Sequence, residues 1–206
     1  NYTVTVTDNK GCTDTDVMKV TVNPNPTANA GSDKTICSGS STTLTASASG
    51  GATPYSYSWN NGLGTGPSKS VSPTTTTNYT VTVTDGRGCT DTDVVRVNVI
   101  RNITNPGAIS ASQSSCGSFN PANVTGTAAS GGSGATVTYQ WQSRTGTSGS
   151  WANVSGATGT SYNPPSTSVT RQYRRLARRG SQCPYQASNI VTMTVNGGPS
   201  VNAGAD

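Results

Sequence analysis

The feature that most constrains this chain is an internal repeat. Residues 1–22, NYTVTVTDNKGCTDTDVMKVTV, return 77 positions later as NYTVTVTDGRGCTDTDVVRVNV, and 17 of the 22 positions are identical. In both copies, Thr and Val alternate ahead of a turn-forming segment, and a second strand-like run follows it, which is the pattern of a β-hairpin. A fixed repeat of this kind indicates a tandem array of small β domains, and we expect the chain to be a window into a longer one.

The repeat divides the chain into four segments. Residues 1–23 are expected to be the C-terminal hairpin of a truncated domain, and residues 24–100 and 101–196 to be two complete domains. Residues 197–206 contain PSVNAGAD, which is similar to PTANAGSD at 26–33, and they predict a linker and the first strand of a next domain. Short alternating strands separated by frequent turns predict an all-β fold of tandem β-sandwiches.

Alternation also predicts which residues form the two cores, because successive side chains of a strand point to opposite faces. The predicted buried residues are Trp59, Tyr79, Val81, Val83, Val95, Val97 and Val99 in the first domain and Val137, Tyr139 and Trp141 in the second. Residues 42–48, TTLTASA, are predicted to form one strand. Residues 173–178, YRRLAR, are predicted to form another, whose two faces are both mixed, and this favours a bulge or an edge position.

Composition leaves little room for catalysis. The chain has no His and no Glu, and all eight acidic residues are Asp. These absences remove the commonest general base, the Ser-His-Asp and Cys-His nucleophile systems and the zinc sites that contain His. We therefore expect no enzymatic activity.

Five of the thirteen basic residues are arginines between positions 171 and 179. We interpret this run as a solvated strand face, because it lacks an interleaved platform of aromatic residues on which bases could stack. A nucleic-acid partner is not expected. Membrane insertion is not expected either, since no apolar run is long enough to span a bilayer.

The five cysteines are assigned by their place in the repeat. Cys37 and Cys89 lie near the two ends of the first complete domain, and Cys116 and Cys183 near the two ends of the second. This layout predicts one disulfide within each domain, as in proteins of oxidising compartments. Each bond would add about 4 kcal/mol of stability in the chain-entropy model. Cys12 matches Cys89 in the truncated copy, so we expect it to be unpaired or paired to a missing upstream residue.

Two TDTD motifs are candidate calcium sites. Asp14 with Asp16, and Asp91 with Asp93, place two carboxylates on one face of a strand, where loop oxygens can complete a calcium shell. The alternative is that these carboxylates keep a strand face soluble and discourage edge-to-edge pairing. No other cofactor is predicted.

The segments PTANAGSDKTICSGSSTTLTA, YSYSWNNG and NYTVTVTDGRGCTDTD resemble the PKD-type and PKD-like domains of large Bacteroidota surface proteins. The segments YQWQSRTGTSGSWANVSGATGTSYNPP and SNIVTMTV are similar to the Ig-like repeats of the same adhesins, including gliding-motility adhesins. The resemblance covers nearly the whole chain. It implies tandem PKD-like and Ig-like sandwiches, arranged as beads on a string, in a protein exported by type IX secretion. Many PKD domains have WDFGDG where this chain has WNNG at 59–62, so any role of those acidic positions is not carried over.

The expected function is structural: a spacer or stalk segment of a long extracellular adhesin or surface fibre. Its partners would be neighbouring repeats of the same polypeptide or copies of itself. One alternative is a filament subunit whose hairpin at 1–23, marginal alone, is completed by strand addition from another chain. Another is a module that binds surface polysaccharide through exposed Tyr55, Tyr162 or Tyr185. The expected location is extracellular or on the cell surface.

Overall fold

The computed structural model describes residues 1–198, which form seventeen β-strands. The first eleven are β1 (Tyr2–Thr7), β2 (Thr13–Met18), β3 (Pro26–Asn29), β4 (Lys34–Cys37), β5 (Thr42–Thr45), β6 (Ser47–Gly50), β7 (Ser56–Trp59), β8 (Gly64–Thr65), β9 (Ser68–Val71), β10 (Thr77–Thr84) and β11 (Thr90–Ile100). Strands β10 and β11 are the second copy of the repeated hairpin. Along β10 the buried Tyr79, Val81 and Val83 alternate with half-buried Thr residues, as the sequence predicts. Within these residues, no helix is long and apolar enough to cross a membrane.

The strands of the first sandwich form one larger sheet and two small ones. The larger sheet has the order β4-β11-β10-β7-β8, and the small sheets are β3-β6 and β5-β9. Strand β4 pairs with β11 in parallel, with Lys34 opposite Val97 and Cys37 opposite Ile100. Strands β1 and β2, the first copy of the hairpin, form a separate antiparallel pair.

The second sandwich contains the remaining strands. They are β12 (Gln113–Cys116), β13 (Val137–Thr145), β14 (Ala152–Asn153), β15 (Arg171–Arg179), β16 (Gln186–Ala187) and β17 (Val191–Asn196). Their sheet has the order β12-β17-β15-β13-β14, and β16 pairs with β15. Isolated bridges outside these strands, such as those between Ile109 and Gly126 and between Val124 and Tyr162, form the less regular part of this sandwich.

The predicted core of the first sandwich is confirmed. Trp59, Tyr79, Val81, Val83, Val95, Val97 and Val99 are all at most 8% exposed. The second core is built around Trp141, which is fully buried and packs with Ile109, Val124, Tyr173, Val191 and Met193. Val137 and Tyr139 are only half-buried. The all-β fold of tandem β-sandwich domains therefore follows from alternation, although the second core draws more on residues outside the predicted faces.

Two predicted strands differ in the structure. Residues 42–48 form two strands because the chain changes sheets at Ala46, so that β5 pairs with β9 while β6 pairs with β3. The edge position predicted for residues 173–178 is wrong, since β15 lies between β13 and β17 in the middle of its sheet. The alternative, a bulge, is not found against β13, because that pairing runs without interruption from Arg171 to Arg179. The faces of β15 are mixed because Arg175 is buried on the inner face together with Tyr173 and Ala177.

The chain divides into two compact units. One contains Asn1–Ser32, Thr43–Lys69 and Tyr79–Val95, and the other contains Asp33–Thr42, Ser70–Asn78 and residues 96–198. The division follows contacts rather than the repeat, so the predicted domain boundaries stay a prediction. The predicted first strand of a next domain, from residue 199, lies outside the described residues.

Candidate functional site

The second TDTD motif lies at the start of β11, and its carboxylates hold a neighbouring segment by the backbone. Ala28 N donates a hydrogen bond to Asp91 Oδ2, and Ala30 N donates one to Asp93 Oδ2, each at 2.8 Å. Because β3 pairs with β6 rather than with β11, these carboxylates take the place of backbone carbonyls as acceptors for the two amides. The aspartates thereby anchor the first strand of the sandwich to its last strand.

Residues 28–37 keep one register against β11. The two aspartate contacts join residues that are 63 positions apart, and so does the hydrogen bond from Arg96 N to Asp33 Oδ1 at 2.9 Å. The parallel ladder of β4 on β11 keeps this offset, since Lys34 lies opposite Val97. The segment PTANAGSD is therefore held by side-chain carboxylates until β4 begins its own backbone pairing.

Asp85 fixes the turn of the same hairpin. Its Oδ1 accepts hydrogen bonds from Arg87 N and Cys89 N, each at 2.9 Å, and its Oδ2 accepts one from Ala52 N at 3.0 Å. The hydrogen bond from Ala52 is the largest influence on the pKa of Asp85, which lies below its ordinary value despite the opposing effect of burial. Backbone donors that surround a carboxylate favour its ionised form.

In the first copy, the equivalent aspartates make only local hydrogen bonds. Asp8 Oδ1 accepts from Lys10 N and Cys12 N, and Asp14 and Asp16 each accept from the amide of the following residue. Within residues 1–198, no donor reaches the Oδ2 atoms of these three carboxylates. The side chains that anchor a strand in the second copy are thus available in the first.

The calcium sites stay a prediction. Among the described residues, no three side chains of His, Cys, Asp or Glu lie close enough together to hold a metal ion. Asp91 and Asp93 each use one carboxylate oxygen for a backbone amide. What the structure provides at this motif is strand anchoring.

The cysteines pair differently from the prediction. Cys37 is bonded to Cys183, with the two Cα atoms 5.0 Å apart and 146 residues between the two positions in sequence. Cys12, Cys89 and Cys116 are free thiols. The predicted bonds, from Cys37 to Cys89 and from Cys116 to Cys183, are therefore wrong.

The direction of β4 explains the pairing. Because β4 is parallel to β11, Cys37 lies beside Ile100 at the last rung of the ladder, and Cys89 lies before the opposite end of β11. An extended strand separates Cys89 from Ile100 by about 36 Å, far beyond the reach of a disulfide. Cys183 instead joins Cys37 and Ile100 in one buried cluster, against Ala135.

The three tyrosines proposed for sugar binding have different environments. Tyr162 belongs to the second core, with its ring centroid 5.5 Å from that of Trp141 and 5.7 Å from that of Tyr173, so its prediction as an exposed residue is wrong. Tyr55 donates its hydroxyl to Gly50 O. Tyr185 is 39% exposed, and the Arg178 guanidinium lies 4.2 Å from the centroid of its ring.

Arg175 was missed by the sequence analysis, which treated the arginine run as solvated. Its side chain is fully buried. The guanidinium donates to Thr160 O at 2.7 Å, to Pro106 O at 2.9 Å and to Thr127 O at 2.6 Å. It also lies 4.5 Å from the centroid of the Tyr139 ring.

Three carbonyl oxygens thus surround Arg175, and burial lowers its pKa while Tyr139 opposes that change. A Cβ atom at Gly126 would lie 2.5 Å from Thr160 O and still closer to Arg175, so glycine is required there. The available signal was the alternating set Tyr173, Arg175 and Ala177, which are all buried on one face of β15. Reading this set as inward-facing would have placed the arginine in the core.

The fold is shared with solved structures of tandem domains. A structure of titin domains A168-A170 has a TM-score of 0.54 and 16% identity, over 95% of this chain and 74% of that one. The titin I-band fragment I67-I69 has a TM-score of 0.50 and 13% identity, over 85% and 67% of the two chains. The N-terminal eight Ig domains of Down Syndrome Cell Adhesion Molecule have a TM-score of 0.52 and 13% identity, over 95% and 28%. At these identities, the likeness shows the fold alone, which is that of tandem Ig-like β-sandwich domains.

One family model matches the second sandwich. It is described as a "Domain of unknown function (DUF8696)" and matches residues 105–197. No curated protein matches the chain.

Proposed function

We propose that this chain is a spacer segment of a long extracellular adhesin or surface fibre, of the kind that PKD-like and Ig-like repeats build in large Bacteroidota surface proteins. The repeated hairpin supports a tandem array. The buried disulfide supports an oxidising compartment. The absence of His and Glu from the sequence favours a structural role over a catalytic one.

The observation that carries this proposal is the bond between Cys37 and Cys183, which spans 146 positions of sequence within one compact unit. When a chain is pulled from its ends, tension passes through such a bond instead of through the loop it closes. The residues between the two cysteines then carry no load. A segment built this way keeps its length under tension, which is the property a stalk requires.

Force spectroscopy of the chain between two handle domains tests the proposal. Residues between the cysteines would extend by about 3.6 Å each, and the bond holds the two Cα atoms 5.0 Å apart. We expect the reduced chain to gain about 500 Å more contour length than the oxidised chain. A Cys183→Ser variant should extend like the reduced chain under both conditions.

The control is a Cys116→Ser variant, which removes a free thiol and leaves the bond in place. It should extend like the unaltered chain, short when oxidised and long when reduced. Equal extension of the unaltered chain with and without reductant would show that the bond carries no tension, and it would refute the spacer proposal.

The first hairpin favours a place in an array. Tyr2 is 68% exposed and Val4 58%, whereas their counterparts Tyr79 and Val81 are 6% and 0% exposed. In the second copy, the segment 24–77 supplies Trp59 opposite Val81 and the two amides that the aspartates bind. We therefore place the first hairpin in a repeat whose remaining strands have the chemistry of that segment.

The same exposed hairpin favours a second candidate, a filament subunit whose missing strands come from another chain by strand addition. Sedimentation of the full chain over a range of concentrations separates the two. Association that is lost in an Asp14→Ala/Asp16→Ala variant would support the filament subunit. A monomer at every concentration would leave the covalent array as the proposal.

A further inference from the structure

A row of three arginines lies on one face of the sheet in the second sandwich. In the pairing of β13 with β15, Arg144 is opposite Gln172, Gln142 is opposite Arg174, and Thr138 is opposite Arg178. These positions alternate with the buried set that contains Arg175 and Trp141, so they lie on the outer face. Arg144, Arg174 and Arg178 together are called the arginine row below.

Neighbouring side chains hold two guanidinium groups of the row in place. Arg144 lies 4.7 Å and Arg174 4.4 Å from the centroid of the Trp151 ring, which is a cation–π arrangement for both. Arg144 Nε donates to Gln172 Oε1, and Arg174 Nε donates to Gln142 Oε1, each at 2.8 Å. These contacts fix the stems of the side chains and the planes of the guanidinium groups.

The terminal amino groups are left for another partner. Within residues 1–198, no acceptor reaches the Nη atoms of Arg174, and Arg144 Nη1 makes only a long contact of 3.4 Å with Gly149 O. The paired amino groups of a guanidinium match a carboxylate or sulfate group, which they bind through two parallel hydrogen bonds. The forks of Arg144 and Arg174 are therefore oriented but unfilled, whereas Arg178 Nη1 donates to Ser181 O at 3.1 Å and, within residues 1–198, its Nη2 has no acceptor.

No carboxylate of this sandwich neutralises the row. Residues 94–198 contain eight arginines and no Asp or Glu. Burial lowers the pKa of Arg174, and the nearby charge of Arg144 lowers it further. Like charges held side by side without a counter-ion are relieved by an external anion.

A depression adjoins the row at Arg178. Its volume is about 420 Å³, and Thr138, Gln140, Thr158 and Tyr185 line it together with Arg178. This volume lies within the range of sites for small molecules and single polymer units. Its hydroxyl and amide groups suit a polar, hydroxylated ligand.

We propose that the arginine row and this depression bind an acidic polysaccharide. Arg174 and Arg178 are four residues apart on one strand, which sets their Cα atoms about 13 Å apart, so they bind two anionic groups of an extended polymer rather than one small ion. The depression at Arg178 receives the sugar hydroxyls. The site lies in the part of the chain that the family model of unknown function matches.

The arrangement favours a polysaccharide over a nucleic acid. Single-stranded nucleic acids bind by stacking bases on open aromatic rings. Here guanidinium groups lie over the rings of Trp151 and Tyr185, at 4.4 to 4.7 Å and 4.2 Å. The rings are used to orient cations, and the remaining donors and acceptors are amides and hydroxyls.

Binding of the full chain to polygalacturonate, measured by thermophoresis, tests the proposal, with dextran as the neutral polymer and oligothymidylate as the nucleic acid. The variant Arg144→Gln/Arg174→Gln/Arg178→Gln should bind polygalacturonate about 100-fold more weakly, since each lost ion pair costs about fivefold. The matched control is Arg87→Gln/Arg96→Gln/Arg101→Gln, which removes three exposed arginines elsewhere. Its affinity should stay within about threefold of the unaltered chain.

Thermal melting of both variants checks that they fold. Equal losses in the two variants would show that binding follows net charge, and the proposal would be overturned. It would also be overturned by no binding to polygalacturonate, by equal binding to dextran, or by tighter binding to oligothymidylate. These results are independent of the force measurements, so the spacer proposal and this one can fail separately.

Discussion

Replacing Arg175 with Ala tests how the second sandwich is held together. The substitution removes a fully buried guanidinium and leaves three carbonyl oxygens, those of Pro106, Thr127 and Thr160, without their donor. Each buried acceptor that loses its partner costs about 1–3 kcal/mol, and relief from burying a cation offsets part of the sum. We expect a loss of about 4 kcal/mol in the free energy of unfolding.

Urea unfolding of the oxidised protein, followed by tryptophan fluorescence, measures this loss. With a denaturant dependence of about 2 kcal/mol per molar urea, the midpoint of the second sandwich should fall by about 2 M. Arg175→Met fills similar space but offers no donor, so it should be nearly as harmful as Arg175→Ala. Arg171→Ala, on the same strand and only half-buried, should change the free energy of unfolding by less than about 1 kcal/mol.

A double-mutant cycle with Gly126→Ala makes the test specific. An added Cβ at Gly126 meets the Arg175 guanidinium, so the two substitutions act on one space and should be less than additive. The reasoning would be refuted if Arg175→Met left the midpoint unchanged, because the three carbonyls would then not depend on the guanidinium.

Three further predictions follow from the hairpins and the cysteines. The double variant Asp91→Ala/Asp93→Ala should lower the free energy of unfolding by about 2 kcal/mol and expose the released amides to hydrogen exchange. The control Asp14→Ala/Asp16→Ala should change neither quantity, and equal effects of the two variants would contradict the anchoring role. The pKa of Asp85 is lowered in the folded protein, so the stability that its carboxylate contributes is present above the unfolded pKa of about 3.9 and is lost as pH falls through the lower folded value. When the urea midpoint is measured across acidic pH, Asp85→Asn should flatten this part of the curve. Alkylation without reductant should label three thiols per chain, and peptide mapping that found a fourth or fifth would contradict the single bond.

Alternation was sufficient to predict which face of each strand enters the first core, but not whether that face is covered, since the same run NYTVTVT leaves Tyr2 and Val4 exposed in the first copy. Trp59, Val81 and Val83 could be assigned to that face from the runs YSYSWN and NYTVTVT alone. The change of sheet at Ala46 could not, since TTLTASA alternates without interruption and only the partners β9 and β3 separate its two halves.

The disulfide and the buried arginine depend on distant parts of the chain. The spacing of the cysteines suggested one bond per domain, but the parallel direction of β4 carries Cys37 away from Cys89. Arg175 is accepted in a core because three loops contribute carbonyl oxygens to it, the nearest of them 15 residues away in sequence. The local periodicity of the sequence predicts neither the direction of a strand nor which loops converge on a residue, and both features determine the candidate sites.

Strand direction also determines which part of the chain bears tension. Strands β4 and β11 are parallel, so a pull entering before β4 and leaving after Ile100 would load every hydrogen bond of their ladder at once, in shear. With the bond intact, tension leaves β4 at Cys37 and crosses directly to Cys183, and β11 carries none of it. Reduction transfers the load from a covalent bond to this ladder. An unfolding event of the first sandwich should therefore appear in force traces only after reduction, and its appearance in the oxidised chain would show that the load takes another route.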